Sequence, residues 1–184
     1  MRALLWPMRR AGLGPESIRE IVFGTEDGVV QNMVLIAGMV GASLSNGVIL
    51  LAGAINAVAG VLSMSMGTYL SSQAERDALA AHSGGVEAER SPVRDAVVMA
   101  LAYAIGATMP LVAFALPLFD RAGSVLAAVV LTSVTLFTLG VAKADLSGKN
   151  RLLSGAQLLA LASTAGAAGF GIGVAAQAVF GIAV

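Results

Sequence analysis

Residues 28–74 form a 47-residue run without a single charge, entered through Glu20, Glu26 and Asp27 and left through Ser63-Met64-Ser65-Met66-Gly67. About 20 apolar residues in a helix cross the roughly 30 Å of bilayer hydrocarbon, so a run twice that length has to fold back once. The only polar, turn-forming cluster near its middle is Ser43-Leu44-Ser45-Asn46-Gly47, which places the bend there. Further uncharged runs at Ala96 to Phe119, Ala122 to Ala142 and Leu152 to Val184 are each long enough to cross once. Apolar residues make up 57% of the chain and charged residues 12%, about half the charge of a soluble domain. The expectation is an all-α membrane protein of five transmembrane helices with approximate limits Ile18 to Leu44, Val48 to Gln73, Arg94 to Leu118, Ala122 to Lys143 and Leu152 to Phe180. Residues 1–17 then form a cytoplasmic segment, residues 18–184 the transmembrane domain, and residues 76–93 a short cytoplasmic loop. Met1 to Gly14 has basic residues but no continuous apolar core before Pro15, so no cleaved leader is expected.

Basic residues set the orientation. Arg2, Arg9, Arg10, Arg19, Arg76, Arg90, Arg94, Lys143, Lys149 and Arg151 fall on one side of the expected spans, and only Arg121 on the other. By the positive-inside rule the amino terminus and the second and fourth loops are cytoplasmic, and the carboxyl terminus faces the opposite compartment. High use of Ala, Gly and Arg suggests a bacterial cell membrane. Basic residues spread along a membrane face are not a nucleic-acid footprint. The chain has no Cys and one His, His82, read as lying in the loop after span two. Catalytic triads and thiolate or paired-His zinc sites therefore lack their parts, and no enzyme is expected.

The polar content of the spans is what remains to carry function. At about 100° per residue, Glu16, Glu20, Asp27 and Gln31 share one direction over about four turns, with Glu26 about a quarter-turn away. Ionised groups at this depth need pairing, water or a cation. If the span starts at Gly28 instead, the acids sit among headgroups and favour the helix dipole. In span two, Gly53, Gly60 and Gly67 recur every seven residues with Ala57 and Met64 on nearly the same face, a stripe suited to close helix approach. Asn56 and Ser63 flank it. A Met in such a helix is ordinarily core filler, the reading given to Met66. As a ligand beside carboxylates, the Met64 thioether favours a transition-metal ion such as Fe²⁺ over Mg²⁺ or Ca²⁺. Pro110 is expected to kink span three and free a carbonyl. Trp6, Tyr69, Tyr103 and Phe119 are read as interface anchors, Asp120-Arg121 as an exposed turn, and Gly169 and Gly173 as a close-packing face within the protomer or between protomers.

Glu16-Ser-Ile-Arg-Glu20-Ile-Val-Phe-Gly24-Thr-Glu-Asp27-Gly28 resembles the first-span signature of the vacuolar iron transporter family. Ala59-Gly60-Val-Leu-Ser63-Met64-Ser-Met-Gly67-Thr-Tyr69, followed by Gln73, Glu75 and Asp77, is similar to its second-span signature. Fainter likenesses are Gly106-Ala-Thr-Met109-Pro110, Leu139-Gly140-Val-Ala-Lys143, and Gly155 with the 169–173 stretch. The resemblance implies a homodimer of five-span protomers, first helices facing at the two-fold axis, that moves Fe²⁺ and often Mn²⁺ out of the cytosol in exchange for protons. The metal is cargo, and no permanently bound cofactor is expected; the partners are lipid, a divalent metal ion and a second copy of the chain. Carried over by position, Asp27 and Met64 match the metal-contacting pair, and Glu16 and Glu20 match the acids at the cytoplasmic entrance.

Two departures stand out. Where the family usually has a membrane-embedded Glu, eight residues before Met64, this chain has Asn56, which offers a neutral oxygen but cannot take up a proton. Residues 76–93 are too few for the family's Glu-rich metal-binding domain, and Glu75, Asp77, Glu87 and Glu89 are read as a solvated loop and an extension of span two. The chain thus looks like a short, nodulin-like member. Two readings follow: a secondary transporter of divalent iron or manganese, and a transport-inactive scaffold that docks a soluble metal-binding or ferritin-like partner.

Overall fold

The computed structural model describes residues 17–82, 91–116 and 118–181, all of them helix or short connection. Five helices follow in order: α1 (Ser17–Gly41), α2 (Asn46–His82), α3 (Pro92–Ala115), α4 (Arg121–Ser147) and α5 (Arg151–Phe180). The turn between α1 and α2 falls at residues 42–45, overlapping the expected polar cluster. Ser43 takes a left-handed φ of 61° there, and Arg121 Nη1 donates to its carbonyl at 3.2 Å, tying the start of α4 to this turn. Side-chain caps fix three helix starts: Ser91 accepts from Arg94 N ahead of Pro92, Asp120 from Gly123 N, and Asn150 from Leu153 N. Asp120 and Arg121 are thus a cap and a tether rather than only an exposed turn.

Four of the five, α2 to α5, are long and apolar enough to cross a membrane. α1 matches them in length but not in apolarity, because Glu26, Asp27, Gln31 and Asn32 interrupt its middle. The second helix runs nine residues past the expected Gln73, since the sequence has no Gly or Pro there to stop it. His82 consequently ends a helix, its Nδ1 2.8 Å from Ala78 O, instead of lying in a loop.

α1 is the axis of the bundle, running parallel to both α3 and α5. Against α3, Gly28 abuts the backbone of Tyr103 and Ala107, and Gly24 abuts Met99 and Ala102. Against α5, Gly38 and Gly41 meet the backbone of Gly169 and Phe170, while Gly169 and Gly173 meet the carbonyls of Val34 and Gly38. The Gly169 and Gly173 face therefore serves within the protomer. Side chains at these positions would separate the helices, so the residue type sets the interhelical distance. Two small apolar clusters fill the remaining space, one around Ile36, Ile49, Leu111 and Phe114 and one around Val29, Leu136 and Leu158.

The perimeter is apolar. α2 buries only Ile49, Gly53, Gly60 and Ser72, leaving Leu51, Ile55, Val58, Leu62, Met66 and Leu70 exposed. An apolar surface of this extent requires lipid or another helix against it. Met66, expected as filler, is 65% exposed on that outer face.

Candidate functional site

Helix order brings the starts of α1, α3 and α5 and the ends of α2 and α4 together at one end of the bundle. Of the described Lys and Arg residues, Arg19, Arg76, Arg94, Lys143, Lys149 and Arg151 belong to this basic end, and Arg121 to the other. A cavity of about 380 Å³ opens between α1, α2 and α3 near it, lined among others by Glu20, Met64, Gly67, Ser72, Glu75 and Met99. Glu20 is buried to 3% exposure, and its Oε2 has no hydrogen-bond partner. A carboxylate oxygen removed from water without a donor is strongly unfavourable. Gly67 belongs to the small-residue stripe, but only Gly53 and Gly60 pack on α3, against Leu111 and the Tyr103 ring; nothing lies within 4 Å of a methyl group placed at Gly67. That open space is part of what admits the cavity.

The expected site residues separate into groups. Glu20 and Met64 line the same cavity. Asp27, nearly two turns along α1, is half-buried and not part of its lining. The Asp27 carboxylate instead lies within electrostatic reach of the Tyr103 hydroxyl, which donates to Gln31 Oε1. Tyr103 is wholly buried between α1, α2 and α3, so it is an interior polar group and not an interface anchor. Nothing in its apolar sequence surroundings distinguished it; the one available signal was its facing glycine, Gly60. Glu16 lies outside the described residues, as do Trp6, Glu87 and Glu89.

Asn56 is committed within the protomer. Fully buried Asn32 donates from Nδ2 to Ala107 O at 2.8 Å, which turns its Oδ1 toward Asn56, whose Nδ2 donates to it at 2.8 Å. The Ala107 carbonyl thus fixes both amides, and a three-helix tie joins α1, α2 and α3 beside Pro110. Pro110 lacks the N–H that would serve Gly106 O; the carbonyl bound by Asn32 is the next one along. Asn56 has only its own amide oxygen left to offer. Asn32→Ala would take the second bond from Ala107 O and leave Asn56 Nδ2 short of its partner, about 1–3 kcal/mol for the orphaned amide. The expected outcome is a clearly lowered melting temperature in detergent, larger than for Asn56→Ala; equal melting of Asn32→Ala and the parent would contradict the tie.

Comparison with known proteins places the chain in a family. The VIT family model matches residues 18–89 and 78–174. Vacuolar iron transporter homolog 1 of Oryza sativa subsp. japonica is 35% identical over 156 residues, spanning 77% of this chain and 66% of its own length. Vacuolar iron transporter homolog 2 of the same plant is 33% identical over 156 residues, 77% of this chain and 81% of its own. Vacuolar iron transporter 1 of Arabidopsis thaliana is 26% identical over 211 aligned residues, 84% of each chain. That alignment is longer than the 184 residues here, so the Arabidopsis protein carries residues with no counterpart in this short chain. With four membrane-length apolar helices and similarity over most of its length, the chain is a multi-pass membrane protein and belongs to the VIT family.

Proposed function

We propose that the chain is a secondary transporter that moves Fe²⁺, and Mn²⁺ by the same route, out of the cytosol of a bacterial cell in exchange for protons. It works as a homodimer with the two copies of α1 facing at a two-fold axis. The observation that carries this reading is the cavity at the basic end, which buried Glu20 lines together with Met64. Carboxylates attract and partly dehydrate a cation, and a thioether adds a soft, uncharged donor suited to Fe²⁺. Among the described residues no three His, Asp or Glu side chains converge, so a metal ion here draws on mixed donors or on two protomers. The names of the relatives, vacuolar iron transporters, point to the same cargo.

α1 acts as the fifth span in this reading. α3 and α5 cover two of its flanks, while Gln31 is exposed and Asp27 half-exposed. Polar side chains at that depth do not face lipid, and a second α1 across the axis covers them. The excess of basic residues at the cavity end supports a cytosolic position for it.

Liposomes holding a metal-quenched dye test this directly. Fe²⁺ or Mn²⁺ uptake should exceed that of protein-free vesicles and should rise when the lumen is acidified, because protons there displace metal from carboxylates. Flux equal to protein-free vesicles, with folded protein verified, removes transport; flux unaffected by luminal acidity across about pH 5 to 8 removes proton exchange.

A further inference from the structure

We propose that Asp95 and Glu20 together form a divalent-cation site within one protomer at the basic end of the α1–α3 seam. The inference deepens the transport reading and rests on it only for its role as the first stop of the cargo.

The seam advances in steps of four residues on both helices. Asn32 meets Ala107, Gly28 meets Tyr103 and Gly24 meets Met99. One more turn down two parallel helices sets Glu20 opposite Asp95. Both are buried, at 3% and 1% exposure. Each keeps one carboxylate oxygen, Glu20 Oε2 and Asp95 Oδ1, without a hydrogen-bond partner. Asp95 Oδ2 accepts from the Ser72 hydroxyl at 3.1 Å, and Ser72 lines the cavity that Glu20 also lines. Ser17, fully buried one turn before Glu20, has an unpartnered Oγ as well. Three buried oxygens lacking hydrogen bonds at the same end of one helix pair are what a cation site presents.

Arg94 is the counter-charge already in place. Its Nη2 is 3.6 Å from Asp95 Oδ1, too far for a hydrogen bond, and its side chain is 32% exposed. Two carboxylates balance a charge of +2. The same cavity is lined by two thioethers, Met64 and Met99, and the Met99 sulfur lies 2.9 Å from where a methyl group on Gly24 would sit. Oxygen donors with sulfur close by favour borderline ions such as Fe²⁺ and Co²⁺ over Mg²⁺ or Ca²⁺, while the carboxylates by themselves also accept Mn²⁺. Asp95 is thus a metal-contacting residue supplied by α3, whereas the acids expected from the sequence, Glu16, Glu20 and Asp27, all came from the first 27 residues of the chain.

Mn²⁺ is the probe, its free concentration read by electron paramagnetic resonance in titrations of the full chain in nanodiscs. Asp95→Asn keeps the shape and an acceptor for Ser72 but removes the charge. Its Mn²⁺ affinity should fall by about 10–100-fold, as should that of Glu20→Gln, and the double variant should lose little more because both act on one ion. Asp95→Asn binding like the parent overturns the proposal, even if Glu20→Gln fails to bind. Should Asp95→Asn not fold, a nitroxide on a cysteine replacing exposed Val93 decides in protein that retains Asp95; the chain has no other cysteine. Bound Mn²⁺ should broaden its spectrum, and an unbroadened spectrum overturns the site. Absence of flux in vesicles would remove transport and leave this site standing, whereas unaltered binding by Asp95→Asn would do the reverse.

Discussion

Metal uptake by vesicles carrying Asp27→Asn falls by about 10–100-fold, toward the leak of protein-free vesicles, while the variant still inserts and folds. Asp27 is half-buried on α1 and none of the glycine contacts that hold α1 in place involves its side chain. Its removal therefore leaves the seams intact. What it removes is a negative charge partway along the proposed path, beside a fully buried tyrosine whose hydroxyl is already committed to Gln31. From α2 no acid replaces that charge, because Asn56 is neutral and tied to Asn32, and the adjacent Glu26 points about a quarter-turn away. Tracer flux of Fe²⁺ or Mn²⁺, normalised to the folded protein recovered, is the measurement. Flux within twofold of the parent would remove Asp27 from the path.

Gly173→Ala and Gly28→Ala are expected to be among the most damaging single methyl additions to stability, each lowering it by about 3 kcal/mol or more. A methyl group at Gly173 would be driven into Gly38 O and would meet Ala42 N at 3.0 Å; one at Gly28 would press on Tyr103 O and on Ala107 N at 2.8 Å. The obstacles are backbone atoms, which cannot turn aside as a side-chain tip can, so relief requires the helices to part. Overpacking of ordinary side chains costs about 1–3 kcal/mol, and immovable backbone lies at or beyond the top of that range. Gly67→Ala and Gly171→Ala are matched controls, since nothing stands within 4 Å of either position. In detergent melts the first pair should fall well below the controls, and equal melting of all four would refute the seam argument.

Much of the fold could be read from the chain because lipid imposes a coarse and legible pattern. The uncharged runs gave the spanning helices, and the polar cluster at residues 43–47 gave the fold-back, because turn formers stand out in such a run. The reading failed where tertiary register decides. Tyr103 and Met99 look like any aromatic or Met in an apolar helix; only the four-residue stepping of α3 along α1 makes one an interior hydroxyl and the other a sulfur beside the cavity. Asp95 was hidden for a different reason. It follows Ser91-Pro92 in the first turn of α3, where an acid is routinely explained by the helix dipole, and its burial depends on Ser72 and α1 arriving from elsewhere in the chain. Asn56 was recognised as an uncharged substitute, but its engagement with Asn32 required knowing that Ala107 O points between them. An extension of span two past Gln73 is legible in the sequence but its length is not, because the first charges mark the limit of the apolar run and not that of the helix, which carries on to His82.

Because α1 is clamped through bare backbone on two flanks, the height and rotation of every side chain it carries are set by glycines rather than by the functional groups themselves. The acids it carries, Glu20 in line with the seam glycines and Asp27 beside them, are in effect fittings on a rigid rail. Such a division of labour lets the chemistry of ion handling drift, one donor at a time, without renegotiating the architecture that presents it.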